Sequence, residues 1–316
     1  MAQAVSPYPG GQGPRRGRRL LGWFPVSWLF LLPTAIFFVG WQIYPIVEVA
    51  RISFTDYQFL RLGQQVNFVG FDNFRRALAD PLLQQGLLRA ATFTALFVPG
   101  MIFIPMFVAV LVDRVVNQKL ATFYRLVLLI PAMIPGPLVF VLWKWMYDLY
   151  IGPINWVLVD VLGIYTIRNQ PQWIGDPQLV FPSLAVMEWW WGLGYHTMFF
   201  LAGLAVISKD LPDAARVDGA NEWRMFWDVT FPRLLPIVLV LVVLRFGTAM
   251  AIIDEYLIMG AFQRDRPTYT WTVYMFETAF VTGDHNQSYA AAIGWIGAIA
   301  MLVVVAGLFY VFRSRD

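Results

Sequence analysis

Six long apolar stretches constrain this chain more than any other feature. They lie at about 25–49, 87–112, 122–147, 179–207, 234–259 and 288–312. Each is long enough to cross about 30 Å of hydrocarbon as a helix, a crossing that takes roughly 20 residues. Hydrocarbon offers no water to the backbone, so irregular chain is tolerated only outside it or in a protein-lined cavity. The expected fold is therefore an all-α membrane protein of six transmembrane helices, with both termini on the same side. Composition agrees: 59% of the 316 residues are apolar and 14% charged, against about 45–50% and about 25% in a soluble domain. A soluble globule lacks the polar cover. The formal charge of +3 is too small to argue for nucleic acid, and the absence of cysteine removes disulfides, thiolate metal sites and cysteine nucleophiles.

Residues 1–24, rich in Pro, Gly and Arg, form the expected disordered tail, and 25–312 the membrane domain. A cleaved signal peptide is the competing reading. The apolar stretch from Pro25 to Val49 exceeds a signal core of about 7–15 residues, and it holds Pro33 and Pro45 without a convincing small-residue cleavage site. An uncleaved first span is expected. Arg15, Arg16, Arg18 and Arg19 at one end of the domain and Arg313 and Arg315 at the other give a positive-inside bias. Both termini, including 313–316, are thus expected in the cytoplasm, with 113–121 and 208–233 facing inward and 51–86, 148–178 and 260–287 outward. Ala290, Gly294 and Ala298, beside Gly297, make a small-residue face for close helix approach. Pro99, Pro105, Pro131, Pro135 and Pro137 break up the second and third spans, as a translocation path would allow.

The polar segment 208–236 reads as helix, turn, helix. Asp210 is the expected cap of the first helix, with Pro212 in its first turn and Asp213 near its positive end. Gly219 supplies the left-handed residue that ends it, and Asn221 caps a second helix whose Trp223, Phe226 and Trp227 share one face. Pro232 and Pro236 are expected to close the segment. An elbow lying in the lipid interface is the bland reading. Ala214 and Ala215, however, suit a partner's groove better than lipid.

The run Asp213-Ala214-Ala215, then three residues, Gly219, nine residues and Val229-Thr230-Phe231-Pro232 resembles the EAA loop of binding-protein-dependent ATP-binding-cassette importer permeases. The departures are conservative: Asp213 for Glu, Val229 for Ile, Phe231 for Leu. Asp218 to Ala220, Phe200 to Pro212, Val66 to Phe74 and Gly152 to Leu158 are similar to the carbohydrate-uptake branch, including permeases for maltose, glycerol phosphate and multiple sugars. The resemblance implies the type I importer permease fold in a bacterial cytoplasmic membrane, with 208–233 as the cytoplasmic coupling-helix elbow. It assigns ATPase coupling to Asp213, Ala214, Ala215, Arg216, Asp218, Gly219, Trp223, Phe226 and Pro232. It further implies a second homologous permease, two cytoplasmic ATP-binding subunits and an extracytoplasmic solute-binding protein. ATP and Mg are expected on the ATPase subunits and no cofactor on this chain, whose lysines, Lys119, Lys144 and Lys209, follow no phosphate-binding glycine loop.

The competing class is a secondary transporter or channel, which needs ionisable residues within the membrane, and Glu188, Arg245, Asp254 and Glu255 qualify. The candidates for the substrate path are Glu188, Trp190, Trp191, Tyr195, His196, Asp254, Glu255 and Tyr256. A tryptophan run suits either an interfacial belt or a lining that stacks on sugar faces. Asp254 resembles an acid in a family pattern, but Gly260 to Pro267 departs from the glycine-rich stretch expected after it. No residues show metal-site or nucleophile spacing, so a membrane enzyme finds no support.

Overall fold

The computed structural model describes the backbone of residues 24–313 except 62, 64, 209, 260–262 and 284, and their side chains save at 24–28, 212–214 and 311–313. The expected tail at 1–23 and the start of the Gly260–Pro267 loop lie outside the described residues. Two units are distinguished, one ending at Arg51 and one beginning at Ile52. Helix α1 runs over 24–53 through a π turn at Val39–Ile43. Its side chains at Leu29–Phe38 are exposed and apolar apart from Thr34.

The second unit is built of helices α2 (Pro81–Asp113), α3 (Gln118–Leu129), α4 (Gly136–Met146), α5 (Val180–Val206), α6 (Asp210–Val217), α7 (Glu222–Met250), α8 (Asp254–Met259), α9 (Trp271–Phe276) and α10 (Gln287–Arg313), with further short helices at Asp72–Ala79, before α2, and at 153–161, between α4 and α5. Among the described residues the only β pairing is an isolated bridge between Thr55 and Phe68. Four rods are long and apolar enough to cross a membrane: Leu29–Ser53, Pro81–Asp113, Glu222–Met250 and Gln287–Tyr310. The expected third stretch is divided at Ile130–Pro135, where a turn at Pro131–Met133 separates α3 from α4. Proline accounts for the break, since it lacks a donor and disfavours helix in the residue before it. The expected fifth stretch is divided at Ala251–Ile253, between α7 and α8.

Start signals explain where several rods begin. Asp80 caps α2, accepting from the Leu82 amide at 2.9 Å, with Pro81 in the first turn. Asn117 caps α3 through the amides of Lys119 and Leu120. Two expectations at the elbow need correction. Ser208, not Asp210, serves the first amide of α6: its Oγ accepts from the Asp210 N–H at 3.3 Å, and Asp210 is already helical. Pro232 and Pro236 do not close the second helix. Pro232 falls in the first turn after a π segment at Phe226–Thr230, where its missing N–H costs little, and the rod continues through Pro236 to Met250.

Helix α5 is the centre of the packing, lying against α2, α3, α7 and the turn at Pro131–Met133. Phe93 and Phe97 of α2 stack at 5.5 Å, and Phe93 meets Phe181 of α5 at 5.4 Å. Leu184, Ala185, Met187 and Phe200 complete a fully buried seam. In lipid such contacts gain by close fit rather than by expulsion of water. Gly194 shows how close: a Cβ there would stand 2.0 Å from the Leu128 carbonyl oxygen.

Candidate functional site

The tryptophan run on α5 is spent on backbone. Trp189 Nε1 donates to the Phe97 carbonyl at 3.0 Å, its ring lying where a side chain at Gly100 would stand. Trp191 Nε1 donates to the Ile134 carbonyl at 3.1 Å, a group exposed by the break between α3 and α4. Trp190 packs on Trp143 at 5.6 Å. All three rings are half-buried. They hold the interrupted spans against α5 and so fix the geometry of what lies beside them.

Beside them is a cluster of polar groups at which the structure brings together most of the expected path residues. Glu188 of α5 is 8% exposed, and its Oε1 has no hydrogen-bond partner among the described residues. Its electrostatic neighbours are Glu255 of α8 and Arg245 of α7. The Tyr256 hydroxyl and Arg245 Nε, both buried, likewise lack partners, as does Nε2 of His196, whose Nδ1 lies 2.6 Å from the Gly192 carbonyl. The Arg245 guanidinium stands 6.0 Å over the ring of Tyr195, which is 48% exposed and opens the cluster to its surroundings. Asp254, one residue before Glu255, is exposed. Arg245 is visible in the sequence as an intramembrane charge. What sequence reasoning missed is its place over Tyr195 and beside Glu188, which depends on how α7 crosses α5.

Buried donors and acceptors are ordinarily paired, because an unpaired one costs about 1–3 kcal/mol. A carboxylate oxygen, a guanidinium N–H, a phenol and an imidazole nitrogen are left open together, each with the capacity to give or take one further hydrogen bond. Among the described residues no group of three or more His, Asp or Glu is arranged to hold a metal ion.

At the elbow, Gly219 has φ +79°, the left-handed turn expected of it. Its amide donates to the Arg216 carbonyl at 3.1 Å and that of Ala220 to Ala215 at 2.9 Å, the paired bonds of a Schellman cap. Asn221 Oδ1 then accepts from the Arg224 amide at 2.8 Å and starts α7. Glu222 pairs with Arg114 at 2.5 Å, tying the elbow to the chain just after α2, and lies 3.8 Å from Arg216. Phe226 packs against the core, whereas Trp223 is 71% and Val217 88% exposed. Arg216, Asp218, Gly219 and Pro232 are exposed and Ala215 half-buried. Asp213 and Ala214 lie in α6, their side chains outside those described.

Four membrane-length apolar rods, an exposed elbow and a buried polar cluster fit a transport permease. The chain belongs to the family of binding-protein-dependent transport system inner membrane components, whose pattern it matches over residues 85–315. It is 29% identical over 295 residues to the inner membrane ABC transporter permease protein YcjO of Escherichia coli strain K12, covering 92% of this chain and 94% of that one. It is 28% identical over 291 residues to the sulfoquinovosyl glycerol transport system permease protein SmoG of Agrobacterium fabrum, covering 91% and 90%. The fold is that of a bacterial alginate ABC transporter solved in complex with an alginate pentasaccharide-bound periplasmic protein, with a TM-score of 0.78 at 22% identity over 94% of this chain and 98% of that one. The type I importer permease fold is thereby established, and with it the role of permease subunit of an ABC importer.

Proposed function

We propose that the imported solute is a saccharide or polyol and that it passes the cluster formed by Glu188, Arg245, Glu255 and Tyr256. The carrying observation is the set of buried, unpartnered donors and acceptors behind the half-exposed ring of Tyr195. Hydroxyl-rich ligands satisfy such groups at many angles, and an amphipathic ring offers them an apolar face. The transport of saccharides by the similar alginate and sulfoquinovosyl glycerol systems supports the same class.

In this reading the chain performs no chemistry of its own. ATP is hydrolysed on two separate cytoplasmic subunits, a second homologous permease completes the path, and a binding protein delivers solute to the opposite face. The elbow of α6 and the start of α7 docks on an ATPase subunit. Its exposed Trp223 and Val217, beside the rigid turn at Gly219, support this role, as do the spacing and place of the EAA-like run. The elbow is then cytoplasmic, and both termini lie on its side.

The test is uptake of labelled saccharides by the complete importer in proteoliposomes. Glu188→Gln is expected to lower uptake about tenfold, the worth of one hydrogen bond to a charged group, and Tyr195→Ala to lower it several-fold through loss of the ring face, with ATPase activity still stimulated by the loaded binding protein. Wild-type uptake in both variants would move the site elsewhere.

A further inference from the structure

At the opposite end of the subunit from the elbow lies a cavity of about 240 Å³, lined by Lys144, Tyr147, Asp148, Gln172, Trp173 and Arg266. Met259, the last residue of α8, also borders it. The same six-residue helix carries Glu255 and Tyr256 of the buried cluster, so the cavity and the cluster are separated by about one helical turn. Lys144 Nζ donates to the Ile258 carbonyl at 2.7 Å and ties α4 to that helix.

The aromatic walls are held in place by their own polar ends. Trp173 Nε1 donates to Asn155 Oδ1 at 2.8 Å, and Asn155, fully buried, donates in turn to the carbonyls of Leu149 and Pro171. Tyr147 donates to the Ser183 carbonyl at 2.8 Å, and its ring lies 5.9 Å from that of Trp173. With those donors spent, what the walls offer a ligand is ring surface. The charged groups are unequal. Neither Lys144 nor Arg266 has a carboxylate within ion-pairing distance among the described residues, and Arg266 Nε donates to Gln263. Asp148 is the one carboxylate in the lining. Its Oδ1 accepts from the amides of Ile151 and Tyr150 at 3.0 and 2.9 Å, bonds that hold its carboxyl below the usual range. It is committed to its own turn, and the lining is left with a surplus of positive charge.

We propose that this cavity is a subsite for the acidic end of a saccharide, one ring lying on Trp173 and its carboxylate, sulfonate or phosphate on Arg266 and Lys144. Its volume suits one ring rather than a whole oligosaccharide, since pockets for larger ligands run to about 300–1,000 Å³. Charge-assisted bonds from Arg and Lys supply the discrimination. The inference rests on the saccharide-import reading but assigns a separate place and a separate chemistry.

The test is calorimetric titration of glucuronic acid and of glucose into the complex of both permeases and both ATPases, purified without the binding protein. Glucuronic acid is expected to bind more tightly than glucose, Arg266→Gln and Trp173→Leu each to weaken it about tenfold, and Arg266→Lys to restore most of the affinity. Equal affinity for the two sugars, no binding of either, or glucuronic acid binding unmoved by Arg266→Gln would overturn the subsite. If saccharide uptake still depends on Glu188 in that event, the import reading stands without it. If the subsite binds as expected but uptake ignores Glu188, it is the path reading that falls.

Discussion

The two ends of α7 are held in opposite ways. At Met250 the helix stops short, and the freed carbonyls are met from outside: Trp271 Nε1 donates to Met250 at 2.8 Å and Thr272 Oγ1 to Ile252 at 2.6 Å. The Trp271 ring lies against Gly297 of α10, where a Cβ would stand 2.4 Å from it, and its backbone lies against Gly86 of α2. Arg89 of α2 adds bonds to the carbonyls of Arg264 and Tyr269. At Glu222 the chain caps itself through Gly219 and Asn221, and its first polar link to the rest is an exposed ion pair with Arg114. The difference follows from solvent. Broken backbone away from water must be satisfied by neighbours, which welds them together. Exposed backbone closes on local caps and leaves side chains such as Trp223 uncovered. One end is clamped by its neighbours and the other is left open for the proposed docking.

The sharpest way to break this comparison is at the fixed end. Gly86→Val would drive side-chain atoms into the Trp271 amide, 2.6 Å from the position of a Cβ and itself backbone. Overpacking of this kind costs about 1–3 kcal/mol or more, so melting temperature and uptake are expected to fall together. Gly219→Val should separate them. A β-branched residue at φ +79° is strained, but the turn is remote from the core; ATP-driven uptake is expected to be lost with melting nearly unchanged, and retained uptake would remove the docking assignment. Thr272→Val strips the partner from the Ile252 carbonyl and is expected to lower stability by about 1–3 kcal/mol, read as a lower melting temperature with ATPase docking intact. Glu222→Gln breaks only exposed pairs, with Arg114 and Arg216, each worth about 0–1 kcal/mol; the small effect should vanish in high salt.

The smallest expected effect concerns Asp80. Burial pushes its carboxyl up, but the hydroxyls of Tyr274 and Tyr289, at 2.6 and 2.7 Å, and the Leu82 amide outweigh that and hold it below the usual range. A depressed carboxyl contributes stability above its unfolded value, about 3.9, which is lost as pH falls through the folded value. Melting between pH 7 and 5 should therefore be flat for this group, with a decline below about pH 4 that Asp80→Asn reduces.

How legible this was depended on the range of the forces involved. The turn at Gly219 and the cap at Asn221 are local, and the sequence carried both. Asp210 as cap was a near miss, since a serine two residues earlier competes for the same amide. The break at Ala251–Ile253 carries no proline or glycine and reads as continuous span; its cause is the pair of partners on α9, twenty residues on. Asp254 and Glu255, a helix-start signal inside an apolar run, were the available hint. The roles of Trp189 and Trp191 were hidden for the same reason, since a stripe of rings looks alike whether its N–H groups meet lipid, sugar or a neighbouring carbonyl.

The continuity of Glu222–Met250 has a mechanical consequence. Twenty-nine helical residues make a shaft of about 43 Å, with Trp223 near one tip and the Trp271 clamp at the other. With an ATPase subunit docked at the elbow and solute at the cluster, as proposed, a push on the first tip would turn the shaft about the second, and Arg245, five residues from that pivot, would travel through a small arc. Force would then enter where the leverage is long and reach the solute where it is short.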